Sequence, residues 1–204
     1  PRDAHVVQRL REAGAVLLAK TNLSEWANIR GAHSISGWSA RGGQTRCPYA
    51  LDRSPSGSSS GTGAAVAASL CAAGIGTETD GSITSPSSVN ALVGIKPTVG
   101  LLSRDGIVPI SFTQDTAGPM CRTVRDAALV LAAIAGPDAR DAATRAQTGR
   151  VHLAALLPHE AGSLRGVRLG IADNLVGDHR GTIRLFEAAQ AAFKSLGATL
   201  VSAP

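Results

Sequence analysis

The spacing of apolar residues changes several times along the chain, and each change marks an element. Val6, Val7 and Leu10 fall at helical spacing within residues 3–13, and Gly14 supplies a natural stop. AVLLA (15–19) is short and continuously apolar, which predicts a buried strand. A helix, a short turn and a strand in that order is an α/β signature. TNLSEWAN (21–28) predicts a short helix capped by Thr21 or Asn22, with Glu25 in its first turn. From Arg30 to Ser54 the periodicity vanishes, and Gly31, Gly37, Gly42, Gly43 and Pro48 punctuate the segment. A stretch of that length in a compact domain serves a site or covers a surface, and Trp38 and Tyr49 argue for an ordered loop near a site.

Residues 62–73, TGAAVAASLCAA, suit a helix whose alanines permit close approach, and GIGTE (74–78) is a short apolar run with glycines. ALVGIKPTVGLLS (91–103) predicts one or two short strands broken by Pro97 and Gly100. The clearest amphipathic helix spans 122–135, with Val124, Ala127, Ala128, Leu131 and Ile134 on one face and Gly136–Pro137 ending it. After an irregular connection at 137–165, VRLGIA (167–172) predicts a strand. TIRLFEAAQAAFKSLG (182–197) then predicts a helix capped by Thr182 and stopped by Gly197, and ATLVSA (198–203) a further strand. The expected architecture is α/β, a mixed twisted sheet with helices on both faces. It forms one domain over 1–204, with a core at 1–136 and a β-α-β continuation at 166–204. The chain begins at Pro1 rather than Met and ends as a β-α-β unit closes, so the domain is expected to be incomplete at both ends.

Composition narrows the function. A chain of 204 residues with 44% hydrophobic and 17% charged residues can bury one substantial core. Its formal charge of +5 comes from scattered arginines, since only Lys20, Lys96 and Lys194 are lysines. With aromatics at 3% and no basic run, a base-stacking surface is not expected, and no nucleic-acid partner. Cys47, Cys71 and Cys121 have no C-x-x-C spacing, and Cys71 reads as a small core residue. The five histidines form no H-x-x-x-H pattern, so no metal site is expected. No apolar run reaches the length of a bilayer, so no membrane contact is expected. The compartment stays open, with the cytoplasm slightly favoured, and the oligomeric state is not legible.

The chemistry concentrates in Pro55–Ser88, where two Gly/Ser-rich turns flank the Ala-rich run. A serine hydroxyl needs a base within hydrogen-bond reach to attack. The stretch contains no G-x-S-x-G elbow, no S-x-x-K, and no lysine where a phosphate-binding loop requires one. GSSSGTG taken alone reads as a flexible turn. The combination is more specific. P-x-G-S-S-x-G at Pro55–Gly61, G-T-E-T-D-G-S-I at Gly76–Ile83 with Pro86, and G-I-K-P-T-V-G at Gly94–Gly100 occur in one order. They are joined by Q-D-T-A-G-P-M at 114–120, R-T-V-R-D-A-A at 122–128 and A-K-T-N-L-S-E-W-A at 19–27. In order and spacing these resemble the amidase signature family, with the N-terminal segment and the T-E-T-D-G-S-I turn most like its peptide amidase branch.

The resemblance implies hydrolysis of a small carboxamide or peptide amide by a Ser–cis-Ser–Lys triad without a cofactor. Ser82 would be the nucleophile and Ser58 the bridging serine, on a cis peptide after Gly57. Ser59 would support Ser58, and the N–H groups of Thr79, Asp80, Gly81 and Ser82 would form the oxyanion hole. The lysine of the family falls before Pro1 in this register; Lys20 and Lys96 match other positions, so the chain as given is expected to be inactive. A glutamine- or asparagine-type amidotransferase subunit of the same family, or a non-catalytic binding module, are the alternative readings. Three positions depart from the pattern: the loop reads Ser56-Gly57-Ser58-Ser59-Ser60-Gly61 where G-G-S-S-G-G is usual, Thr84 stands where arginine is common, and Asp80 where glycine is common.

Overall fold

The structure, a computed structural model, describes residues 2–147 and 163–203. Chain contacts divide it into two compact units, 1–157 and 158–204.

In the first unit, α1 (His5–Glu12) starts close to its predicted place and is followed by Gly14 at φ 83°, the left-handed stop that glycine tolerates. The predicted strand at 15–19 does not form: Val16 and Leu18 are 82% and 68% exposed. A strand is defined by its neighbour's hydrogen bonds, and none of the described residues pairs with this segment. The predicted helix at 21–28 is also corrected. Glu25–Asn28 is a tight turn with Trp26, Ala27 and Asn28 at positive φ, which a right-handed helix forbids. Within 30–54 a small hairpin pairs β1 (Trp38–Ser39) with β2 (Gly43–Gln44). This hairpin and its flanks are fastened by Asn22, whose amide donates to the carbonyls of Gly37 (3.3 Å) and Gly43 (3.1 Å) and to Thr45 Oγ1 (3.0 Å).

The central sheet is antiparallel, in the order β3 (Ala73–Glu78), β5 (Thr116–Cys121), β4 (Val93–Gly94). Alternation along β3 sorts its faces. Ile75 turns to a core made by Val6 of α1, Leu102, Ala117, and Leu131 and Ile134 of α4 (Val124–Ile134). Gly74 and Gly76 turn to α2 (Ser60–Ala67) and the loop before it. A side chain at Gly74 would strike Thr62, and a Cβ at Gly76 would lie 2.8 Å from Ser59 Oγ and 2.9 Å from Met120 Sδ. The glycines of GIGTE therefore let a serine loop lie directly on the sheet. Helix α4 has the cap its sequence requires, Thr123 Oγ1 accepting from Asp126 N at 3.0 Å. Beyond it, the described part of the expected irregular connection is held: a short 3-10 turn at Ala142–Ala146 buries Thr144 completely. Residues 148–162 of that connection lie outside the described residues.

The second unit pairs β6 (Arg168–Ile171) in parallel with β7 (Thr199–Ser202) around α5 (Arg180–Ser195). The expected cap Thr182 is instead the donor. His179 Nδ1 accepts from Thr182 N at 3.2 Å, so the helix begins two residues earlier than predicted. Gly197, at φ 94°, follows its end.

Candidate active site

Two turns of the first unit meet at a cavity of about 20 Å³ lined by Ser58, Ser82, Thr77, Glu78, Thr79 and Asp115, among others. The first turn is the serine loop. The Gly57–Ser58 peptide is cis, Ser58 is buried, and its carbonyl accepts from Ser24 N at 2.9 Å. Gly57 admits no side chain, since a Cβ there would strike Ser24 Oγ and come within 2.7 Å of Ser60 Oγ. Ser59 stitches the loop to the sheet: its hydroxyl donates to Thr77 O (3.2 Å) and accepts from Thr77 N (3.1 Å). Its own N–H reaches the second turn directly, donating to Ser82 O at 3.1 Å. The hydroxyl of Ser59 thus bonds backbone rather than Ser58.

The second turn runs from Thr79 to Ser82, with Gly81 at φ 78°. Two carboxylates brace it from opposite ends. Glu78, buried, accepts from Ile83 N (2.6 Å) and Thr84 N (2.8 Å), satisfying orphan donors at the start of α3 (Thr84–Val89) and favouring its positive end. Asp115 accepts from Thr79 Oγ1 at 2.6 Å and from the N–H groups of Ile110 and Ser111, both at 2.8 Å. Burial pushes the Asp115 carboxyl up, but the Thr79 hydroxyl, those two N–H groups and nearby Arg104 outweigh it and hold it below the usual carboxylate range. Lys96 Nζ donates to Thr79 O at 2.9 Å. Among the described residues, no hydrogen bond engages the N–H groups of Asp80, Gly81 or Ser82. The turn is thus bonded at its ends and, among the described residues, carries three N–H groups in its middle with no acceptor.

The expected residues are therefore neighbours. Ser58 and Ser82 line one cavity, Ser59 ties their turns together, and Thr79 reaches the cavity while Asp80 is exposed. Trp38 and Tyr49 do not line it: Arg30 stacks over the Trp38 ring at 5.1 Å, and Tyr49 is largely exposed. Sequence reasoning passed over Glu78, Asp115 and Ser24, although each lies inside a motif quoted above. The sign available for Glu78 and Asp115 was an acid in an apolar strand or at its edge. Ser60, one of the departures, is accommodated as the first residue of α2, its hydroxyl 3.0 Å from Ser24 Oγ. The backbone demand falls instead on Ser56, which stands at φ 59°. Thr84 bonds Glu78 through both N–H and hydroxyl, so this brace needs no arginine. Cys71 is only half-buried, whereas burial pushes the Cys121 thiol up to about 11, out of the range of a nucleophile at neutral pH. Among the described residues no cluster of three metal-ligating side chains occurs, and no helix is long and apolar enough to cross a membrane.

The chain is similar to known proteins along its whole length. The sequence model of the family described as Amidase matches residues 1–204. A probable amidase of Arabidopsis thaliana is 52% identical over 187 residues, covering 90% of this chain and 36% of its own. The crystal structure of the native peptide amidase from Stenotrophomonas maltophilia superposes with a TM-score of 0.90 at 56% identity, over 100% of this chain and 42% of that one. A glutamyl-tRNA(Gln) amidotransferase subunit from Thermotoga maritima superposes at 0.83 with 34% identity, over 100% of this chain and 44% of that one. The chain thus spans less than half the length of each.

Proposed function

The chain belongs to the amidase family, and from that premise we propose that it forms part of an amide hydrolase working through an acyl-enzyme on Ser82. The observation that carries the reading is the meeting of Ser58 and Ser82 at one cavity beside three unengaged backbone donors. Ser82 Oγ attacks the amide carbonyl, and its proton passes to Ser58 and onward to a base. The oxyanion is received by the N–H groups of residues 79–82, whose turn is open because Gly81 takes a left-handed conformation. Collapse breaks the C–N bond and releases ammonia or an amine carrying the returned proton. Water then cleaves the Ser82 ester to give the acid. Lys20, Lys96 and Lys194 are not the base in this reading: Lys96 is bonded to a backbone carbonyl, and the resemblance places the triad lysine outside residues 1–204.

The substrate class we favour is a C-terminal peptide amide, because similarity is higher to the peptide amidase, at 56%, than to amidotransferase subunits, at 34% to 47%. The test uses the full-length protein of which residues 1–204 form part. A fluorophosphonate probe is expected to label Ser82, and ammonia is expected from a peptide amide; both are lost in Ser82→Ala. Undiminished ammonia release by Ser82→Ala overturns the reading. Glutamine hydrolysis that requires a partner protein, with no action on peptide amides, selects the amidotransferase alternative. No labelling under any condition selects the binding module.

A further inference from the structure

We infer that Lys96 is a positioning residue that aims and polarises an oxyanion donor through the Thr79–Asp80 peptide. The inference rests on the reading of residues 79–82 as the oxyanion turn. Lys96 follows β4 at the edge of the central sheet opposite β3, and Ile95 N is bonded to Pro119 O of β5 at 3.0 Å. From there its side chain reaches the residue just after β3 and donates to Thr79 O at 2.9 Å. It is half-buried, and among the described residues it makes no salt bridge to a carboxylate. A half-buried cation directed at one neutral carbonyl, when the acids of the same turn are occupied elsewhere, calls for a physical account.

The carbonyl of Thr79 and the N–H of Asp80 are the two ends of one peptide group. That peptide is trans, so its oxygen and its N–H point in opposite directions, and pinning the oxygen at Lys96 turns the N–H away from the lysine. Thr79 is held a second time by its hydroxyl, 2.6 Å from Asp115 Oδ1. Two anchors on one residue leave the peptide plane little freedom to rotate. The hydrogen bond from the ammonium also draws electron density toward the carbonyl oxygen, which makes the Asp80 N–H a stronger donor. Asp80 N itself engages no acceptor among the described residues. The charge of Lys96 is thereby relayed to the reaction through a backbone amide, without Lys96 touching substrate.

The full-length protein tests this with Lys96→Met, which keeps the stem and removes the donor, alongside Lys96→Gln and Lys96→Arg. Peptide-amide hydrolysis is compared with the affinity of a peptide aldehyde, which forms a tetrahedral adduct with the serine. Lys96→Met is expected to lower kcat about 10- to 100-fold, somewhat less than deletion of an oxyanion donor, and to weaken the aldehyde by the same factor. KM stays within about twofold and Lys96→Arg recovers part of the loss. An unchanged kcat and aldehyde affinity in Lys96→Met overturns the inference. So does a loss confined to thermal stability, with folded enzyme at full kcat, because a merely structural prop would behave that way. Should Lys96→Met fail to fold, Lys96→Gln carries the same comparison. If Ser82→Ala stays active, the catalytic reading itself fails; if Ser82 is essential and Lys96→Met is neutral, only this inference does.

Discussion

Two polar clusters of the first unit use buried charge in opposite ways. Around Asp138 and Asp141, every acid is matched to a cation: Arg104 forks onto Asp141 at 2.8 and 2.7 Å, and Arg140 lies 3.0 Å from Asp138 and 3.2 Å from Asp105. Around Ser58 and Ser82, Glu78, Asp115 and Lys96 make no pair with one another, and each is directed at backbone or a hydroxyl. The first arrangement fixes a loop. The second fixes the peptide groups of a turn while leaving three of its N–H groups without an acceptor among the described residues. Charge matched to charge builds rigidity, whereas charge matched to peptide groups builds a preorganised surface.

The sharpest way to break this contrast is at the serines. Ser82→Ala in the full chain is expected to lower kcat/KM by about 10⁴-fold or more and leave the melting temperature nearly unchanged; Ser58→Ala should cost about 10²- to 10⁴-fold, read by the same ammonia assay. Arg104→Ala should do the reverse. It strands buried Asp141 and is expected to cost about 3 kcal/mol in urea unfolding, with kcat of the folded fraction retained. Glu78→Ala lies between the two: two N–H groups lose their acceptor, at about 2 kcal/mol, and kcat falls as the turn loosens.

Acid exposes the same difference. Burial raises the Asp138 carboxyl, but Arg140, Ser103 and His5 outweigh it and hold it near about 2; Arg104 keeps Asp141 below the usual range. Both acids bind protons less readily in the folded chain than in the unfolded one. Their stabilisation is therefore complete above about pH 4 and is lost as pH falls toward about 2. Urea midpoints measured from pH 6 to 2 should fall over that window, and Asp138→Asn should flatten the fall. The smallest effect is expected at Ser56→Gly, which relieves a left-handed serine and should raise stability by no more than about 1 kcal/mol.

What the sequence disclosed followed from what each feature depends on. Helices at 124–134 and 180–195 were legible because a 3.6-residue apolar period is internal to the segment. The segment 15–19 was not, since its apolar composition is indifferent to whether a neighbour bonds it. No glycine announced the left-handed turn at Trp26–Asn28, and a histidine cap at 179 is outside the usual capping set. Both serines were legible only through motif order. Nothing in spacing alone reveals that Glu78 turns back to two N–H groups five and six residues on, or that Asp115 reaches Thr79 from a different strand.

The bond from Ser59 N to Ser82 O divides what substitution can change from what it cannot. Side chains around the two serines can each be exchanged. The alignment of the two turns rests in part on a main-chain donor and a main-chain acceptor, which nineteen of the twenty residue types would supply equally. Variation of side chains around the serines therefore leaves this one tie between the turns in place. Proline at 59, which has no N–H to give, would remove it.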